Sequence, residues 1–150
     1  MIAAVADTEI IMHITPAFLE KRMSELNQSA AIVVDTNISE ESLKYLLDNS
    51  LAPLFVDAVS TAKAVRIINA LSKSKNPRLH TLKLNQKEAL AVTGCTSVVD
   101  AALYLTQLGV EHVYITLGQD GVYCTSGQLE ARLPAISVDV VNTTGAGDAF

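Results

Sequence analysis

The sequence predicts an α/β fold in which a mainly parallel sheet carries helices on both faces, in three layers. Short apolar runs rich in β-branched residues alternate with longer stretches that repeat apolar residues at helical spacing, the pattern of successive βα units. Hydrophobic residues make up 49% of the 150 residues and charged residues 18%, which is typical of a chain with a buried core and excludes a disordered one. Only 5% of the residues are aromatic, so we expect a core of Ala, Val, Ile and Leu, as in buried parallel sheets.

Short apolar runs predict the strands. They are AAVAD near the start, residues 30–36, 54–59, 79–84 and 112–117, and the shorter runs 129–133 and 138–141. A turn with Gly118, Asp120 and Gly121 separates residues 112–117 from the run GVYCTS. This hairpin signal predicts an antiparallel edge to the sheet.

Amphipathic stretches between these runs predict the helices. They are residues 16–26 with Thr15 as N-cap, a segment bearing Leu43, Leu46 and Leu47 behind a cap at Asn37 or Ser39, residues 61–73, residues 85–92 before Gly94, and residues 98–108 before Gly109. Within residues 61–73, the spacing assigns Val65, Ile68 and Leu71 to one apolar stripe.

Charge and cysteine content exclude several classes of function. The formal net charge is -5 and the sequence has no Lys/Arg cluster, which argues against nucleic-acid binding. Cys95 and Cys124 lack a CxxC spacing and His13, His80 and His112 are scattered. We therefore expect free thiols, structural or surface histidines, and neither a zinc site nor a disulfide. The apolar start of the chain lacks a basic segment, so we expect no signal peptide, no membrane span and cytoplasmic residence.

The strongest candidate for chemistry is NTTGAGD at residues 142–148. Its small residues let the backbone turn tightly with N–H groups facing one point, which favours a bound anion. Asp148 among these donors could accept a hydroxyl proton while a phosphoryl group is transferred. The residues alone leave equal room for Asp148 as a simple helix cap. The sequence contains no GxxxxGK[ST], and GAGDAF lacks the last Gly of GxGxxG, so a P-loop or dinucleotide site is not predicted.

Polar residues follow the other predicted strands. Because ligands of such sheets bind outside the carboxyl ends of the strands, we expect residues 35–37, 57–60, 85–88 and 116–121 to matter. Each also has a structural interpretation. Asp57 can cap the next helix, Asn85 and Glu88 form a capping-box pattern, and residues 116–121 can be only a hairpin turn.

Three motifs in this order resemble the PfkB/ribokinase family of carbohydrate and nucleoside kinases. NTTGAGDAF is similar to the family signature DTTGAGDxF, NQKE at residues 85–88 to its NxxE, and TLGQDG at residues 116–121 to its TxGxxG. The resemblance covers nearly the whole chain. Within the family, VVDTNISEESL, PLFVDAVS and HTLKLNQKEA look most similar to pseudouridine kinases, and Asn142 in place of the usual Asp also occurs there.

The resemblance implies a function for each motif. It implies ATP-dependent phosphorylation of a sugar or nucleoside hydroxyl, with pseudouridine favoured, Mg²⁺ and in many relatives K⁺. The implied general base is Asp148 and the implied anion hole is Gly145, Ala146 and Gly147. The implied ATP-site residues are Asn85, Thr116, Gly118, Gly121 and Gly147. Glu88 is implied for Mg²⁺ through its waters, and Asn142 and Thr144 for the monovalent cation.

The resemblance also implies that residues 1–150 are the central and C-terminal part of a kinase domain. An N-terminal substrate and lid portion and the final helices would be absent, leaving the fold incomplete at both ends. We expect little activity from this chain alone and a homodimer for a full-length parent. The alternatives are a non-catalytic nucleotide-binding remnant of the same fold and a ribokinase-like sugar kinase of other specificity; a Rossmann-type oxidoreductase is disfavoured.

Overall fold

A six-stranded sheet forms the centre of the structure, a computed structural model that describes residues 9–137. Its strands lie side by side in chain order: β1 (Ile32–Asp35), β2 (Leu54–Asp57), β3 (Leu79–Asn85), β4 (Val110–Thr116), β5 (Val122–Thr125) and β6 (Glu130–Leu133). The first four are parallel, and the pairs β4–β5 and β5–β6 are antiparallel. The predicted parallel sheet with a hairpin at its edge is therefore confirmed.

The helices connect these strands. They are α1 (Pro16–Glu20), α2 (Met23–Leu26), α3 (Glu40–Asn49), α4 (Thr61–Lys73), α5 (Gln86–Thr93) and α6 (Val98–Gln107), with 3₁₀ turns at Glu9–His13 and Gly118–Asp120. Ser39, of the two predicted candidates, caps α3 by accepting the N–H of Ser42. Within residues 9–137, no single helix is long and apolar enough to cross a membrane, although α5 and α6 together, as a pair bent by 60°, match that length and composition.

Two local predictions are wrong. Residues 16–26 form two short helices, because the N–H of Arg22 bonds to Leu19 O three residues back and tightens the backbone between them. In α4 the side chain of Val65 is exposed, whereas Ile67, Ile68 and Leu71 are buried. The apolar stripe of that helix therefore runs one position away from Val65. The predicted strands AAVAD and 138–141 lie outside the described residues.

One face of the sheet carries the longer helices. Each βα crossover steps one strand further in the same direction, and crossovers of this kind are right-handed, so α3, α4, α5 and α6 lie in a row on one face. The predicted connecting helices on the second face are therefore not found within residues 9–137. Beneath them the side chains of Leu82, Leu84, Val113 and Ile115 are fully buried. As predicted, the core consists mainly of Ala, Val, Ile and Leu. This core holds β3 and β4, the two longest strands, in place.

Two carboxylates of α3 hold it against α4 and the loop that follows. Hydrogen bonds from Lys73 and Asn69 keep the pKa of Glu40 below its usual 4.5. Burial alone would raise the pKa of Asp48, but hydrogen bonds from Lys44 and Ser74 outweigh it and hold that pKa below 3.8. Both carboxylates are therefore more stable as anions in the folded chain than in the unfolded one.

We expect acid to weaken this contact. A carboxyl group whose pKa is depressed by folding stabilises the fold above its unfolded pKa, and that contribution is lost as the pH falls through the folded value. The free energy of unfolding, from denaturant titrations at neutral pH and at steps below pH 4.5, should therefore decline on acidification. The decline should be shallower in Glu40→Gln/Asp48→Asn. Glu41→Gln, on the exposed side of α3, is the control, and its free energy of unfolding should decline with pH as that of the parent does. If the double variant declined as steeply as the parent, this account would be contradicted.

Candidate functional site

The carboxyl edge of the sheet brings two of the predicted motifs together. Asn85 ends β3 and Thr116 ends β4, and the two residues are register partners. Neighbouring strands lie about 4.8 Å apart, so NxxE and TxGxxG begin side by side although 31 positions separate them. Asp35 and Asp57 are likewise partners at the ends of β1 and β2. Residues that end neighbouring parallel strands therefore lie side by side at this edge.

Asn85 and Glu88 form a capping box at the start of α5. The N–H of Glu88 donates to Asn85 Oδ1 at 2.9 Å, and the N–H of Asn85 donates to Glu88 Oε2 at 2.8 Å. Glu88 is only 4% exposed. The capping interpretation is thus confirmed, and it also holds one carboxylate oxygen in a fixed position at the carboxyl edge. The role of these residues with Mg²⁺ and ATP stays a prediction.

The turn after β4 contains two glycines in different surroundings. Leu117 N–H bonds to Gly121 O and Gly121 N–H to Gly118 O, which closes the hairpin. Gly121 has φ +90°, and a Cβ there would lie 1.9 Å from Leu133 O, so this glycine is required by the close passage of the backbone after β6. Gly118 has φ +62° and open space around its Cβ position. Thr116 is half-buried beside them.

Basic side chains that the sequence analysis missed also reach this edge. Lys83 Nζ lies 2.8 Å from Asp57 Oδ2, and Lys63 Nζ donates to Asn37 Oδ1. Lys83 and Asp57 are register partners, a relationship that spacing in the sequence does not display. The N-cap of α4 is Ser60, so of the two interpretations of Asp57 the one as a cap of this helix is wrong. The edge near β1 and β2 therefore carries the Lys83–Asp57 ion pair and a second ammonium group, that of Lys63.

The loops after β1 and β2 are held in specific backbone conformations. Arg66 Nη1 donates to the carbonyls of Thr36, Asn37 and Ile38 at 3.0, 2.8 and 3.1 Å. In the loop after β2, Val59 has φ 54°, a conformation that β-branched residues rarely adopt. Such strain costs on the order of 1–3 kcal/mol and clusters at functional sites. Lys63 and Arg66 lie three residues apart on the first turns of α4. This spacing is the sequence signal from which their contacts with the loop after β1 could have been predicted.

A small cavity adjoins the turn. It measures about 180 Å³, and its walls include Gln86, Leu117, Asp120 and Tyr123. Burial, helped by a hydrogen bond to Glu130, raises the pKa of Tyr123 to about 12, so its phenol is neutral at physiological pH. The cavity beside TxGxxG is therefore lined by apolar side chains together with the charged Asp120 and Arg132. A larger cavity of about 620 Å³ lies at the opposite, amino-terminal edge of the sheet.

The glycine-rich signature lies outside the described residues. This applies to Asn142, Thr144, Gly145, Ala146, Gly147 and Asp148. Their assignments as cation ligands, anion hole and general base stay predictions. Of the predicted site residues, the described part of the chain thus contains Asn85, Glu88, Thr116, Gly118 and Gly121.

Comparison with known proteins identifies the family. A model described as pfkB family carbohydrate kinase matches residues 30–150. The pseudouridine kinase of Escherichia coli (strain K12) is 37% identical over 158 aligned residues, which cover 100% of this chain and 49% of that protein. This chain therefore spans about half the length of that relative.

Solved structures agree. A candidate sugar kinase from Clostridium perfringens superposes with a TM-score of 0.79 at 29% identity, covering 99% of this chain and 48% of that one. Ribokinase from Thermotoga maritima gives a TM-score of 0.74 at 23% identity over 92% of this chain and 45% of that one, a likeness of fold alone. The predicted ribokinase-like fold is confirmed, and the chain belongs to the pfkB family of carbohydrate kinases.

Proposed function

We propose that this chain carries the nucleotide-binding and catalytic part of an ATP-dependent kinase that phosphorylates a sugar or nucleoside hydroxyl. The observation that carries the proposal is the register pair Asn85–Thr116, which sets NxxE beside TxGxxG at the carboxyl edge of the sheet. In open α/β sheets that edge is where ligands bind. Family membership over residues 30–150 supports the same chemistry.

The proposed phosphoryl transfer uses the glycine-rich signature. The Asp148 carboxylate accepts the proton of the substrate hydroxyl as its oxygen bonds to the γ-phosphorus and the bond to the ADP oxygen breaks. Backbone N–H groups of Gly145, Ala146 and Gly147 donate hydrogen bonds to the phosphoryl oxygens and so stabilise the negative charge that develops on them. Support comes from the family signature in the sequence.

The proposed cofactors are ATP and Mg²⁺. Thr116, Gly118 and Gly121 would line the nucleotide, with Asn85 next to them. The donors fit magnesium chemistry, since Mg²⁺ prefers oxygen ligands and keeps several waters, and the capping box holds the Glu88 carboxylate at the edge where phosphates would lie. Bound magnesium would neutralise phosphate charge. For a monovalent cation, Asn142 and Thr144 are the proposed oxygen donors.

Pseudouridine is the proposed substrate, since a relative that is 37% identical over the whole chain is named for it. Residues 1–150 would be the central and C-terminal part of a kinase domain, so we propose little turnover by this chain alone. A non-catalytic nucleotide-binding remnant and a sugar kinase of other specificity are the alternatives. Cytoplasmic residence stays a prediction of the sequence composition, and a homodimer of a longer parent stays a prediction of the resemblance.

Nucleotide binding and phosphoryl transfer should separate. We expect the 150-residue chain to bind Mg²⁺–ATP in calorimetry but to transfer little phosphate to pseudouridine. A chimera in which this chain replaces the matching half of the E. coli pseudouridine kinase should turn over. In that chimera Asp148→Asn should lower kcat by about 10²–10⁴-fold, the usual contribution of a general base, with ATP binding retained. Asp100→Asn, on the first turn of α6, should leave kcat unchanged, and full turnover by Asp148→Asn would refute the assignment.

Glu88 variants should separate capping from the proposed magnesium role. Glu88→Gln keeps an oxygen that can accept the Asn85 N–H, so its stability should stay close to that of the parent, whereas Mg²⁺–ATP binding should weaken because the charge is lost. Glu88→Ala should lose about 1 kcal/mol of stability as well. Thermal unfolding and ATP titrations with and without Mg²⁺ measure the two effects. If Glu88→Gln bound Mg²⁺–ATP like the parent, Glu88 would be a cap only.

The two turn glycines should respond differently to alanine. Gly121→Ala should destabilise the chain by about 3 kcal/mol or more, because its Cβ would overlap the backbone at Leu133. Gly118→Ala should cost only about 1–2 kcal/mol for its left-handed backbone, yet weaken ATP binding if nucleotide occupies the open space. Denaturant unfolding and ATP titration test this pair. Equal destabilisation by the two variants would contradict the account.

A further inference from the structure

Three potential metal ligands meet at the amino-terminal half of β3 and β4. They are His80, Glu111 and His112, whose ligand atoms all lie within 4.8 Å of one another. His80 precedes Asn85 by five residues and His112 precedes Thr116 by four, so at about 3.3 Å per strand residue the cluster lies roughly 15 Å from the proposed nucleotide site. It is therefore separate from that site.

A break in the side-chain alternation of β3 brings the two histidines together. Thr81 is the register partner of both Phe55 and His112. The ring of the preceding residue, His80, nevertheless lies between the rings of Phe55 and His112, and its centroid is 4.8 Å from the centroid of each. Leu79 is buried at the start of the strand and Leu82 three residues later, so strict alternation fails between them. Residue 80 thereby joins the face that bears His112.

A hydrogen bond orients the His80 ring. Its Nδ1 lies 2.9 Å from Thr81 Oγ1. With the proton on Nδ1, the lone pair of Nε2 is available to a metal. Ligating histidines usually donate their second ring N–H in this way, which fixes both tautomer and orientation. The ring is thus positioned by its own strand.

We propose that His80, Glu111 and His112 bind a zinc ion. Two imidazoles and one glutamate are a donor set of zinc sites that keep a fourth position open, and imidazole favours zinc over magnesium. Zinc bonds of about 2.0–2.1 Å in a tetrahedral site bring ligand atoms to about 3.4 Å from each other. His112 Nε2 and Glu111 Oε1 are already 3.7 Å apart. The Glu111 side chain is 61% exposed, so it is free to rotate for the remaining contraction.

The cluster has an open approach. His80 and Glu111 also line the cavity of about 620 Å³, which leaves room for water or a small anion at a fourth position. Asp48 and Arg78 are the other charged residues of its wall; Asp48 is held by Lys44 and Ser74. The simpler interpretation is a His112–Glu111 ion pair beside stacked rings, without metal. The proposal departs from the sequence-based expectation because 32 positions separate the histidines. They meet only through the pairing of β3 with β4 and the local break in side-chain alternation at residue 80.

Zinc titration tests the proposal. The chain with Cys95→Ser/Cys124→Ser, which removes the free thiols as competing ligands, should bind one equivalent of Zn²⁺ in calorimetry, and Co²⁺ should give the visible absorption of a four-coordinate site. His112→Gln and His80→Gln should weaken binding at least about tenfold. His13→Gln, in the 3₁₀ turn Glu9–His13, should not. Affinity should fall on acidification, since protons compete with the metal for its ligands.

A second variant guards against loss of folding. Glu111→Gln alters an exposed side chain, so its thermal unfolding without metal should match the parent, while its zinc affinity should again fall at least about tenfold. Zinc should raise the Tm of the parent more than that of each ligand variant. The proposal would be overturned by the absence of a one-to-one binding step, or by equal affinity in the parent and in folded His112→Gln and Glu111→Gln chains. Equal weakening by His13→Gln would also overturn it.

Discussion

The parallel pairing of β3 with β4 is the constraint on which the rest of the structure depends. Its register runs from Leu79–Val110 to Asn85–Thr116. Leu82 and Val113, which are partners within it, are completely buried beneath the helices. A slip of one residue would turn this apolar set to the opposite face. The hydrophobic core therefore selects the register, and the register decides which polar residues become neighbours.

Both ends of the β3–β4 pair carry candidate ligand-binding residues, because the register of the two strands makes these residues neighbours. At the carboxyl end the register joins Asn85 to Thr116, and toward the amino end it sets His112 beside Thr81. Oxygen donors and backbone N–H groups at the carboxyl end suit phosphate and magnesium, whereas imidazoles at the other end suit zinc. The two sets are held apart by a rigid apolar segment, so each could bind its ligand without altering the other's geometry.

Local signals in the sequence predicted local structure well. The helix over residues 61–73 has the bounds of α4, and the turn at residues 118–121 forms the expected hairpin. Cross-strand relationships were not predictable in this way. The Lys83–Asp57 ion pair and the meeting of His80 with His112 depend on register between segments more than 20 residues apart, which the tertiary core determines. The division of residues 16–26 shows that even a well-capped helix can be interrupted by a tight local turn, here closed by the bond from Arg22 N–H to Leu19 O.

The capping box shows why a structural and a functional interpretation of one motif need not compete. A carboxylate at the start of a helix is useful to a ligand only if it is already held in place, since ordering a free Glu side chain on binding costs conformational entropy. In Glu88 the bond from Asn85 N–H to Oε2 supplies that order. The same reasoning applies to the turn, where Gly121 fixes the backbone by its close approach to Leu133 and leaves Gly118 facing open space. In both motifs one group stabilises the fold and leaves its neighbour in a fixed position, as the proposed nucleotide site requires.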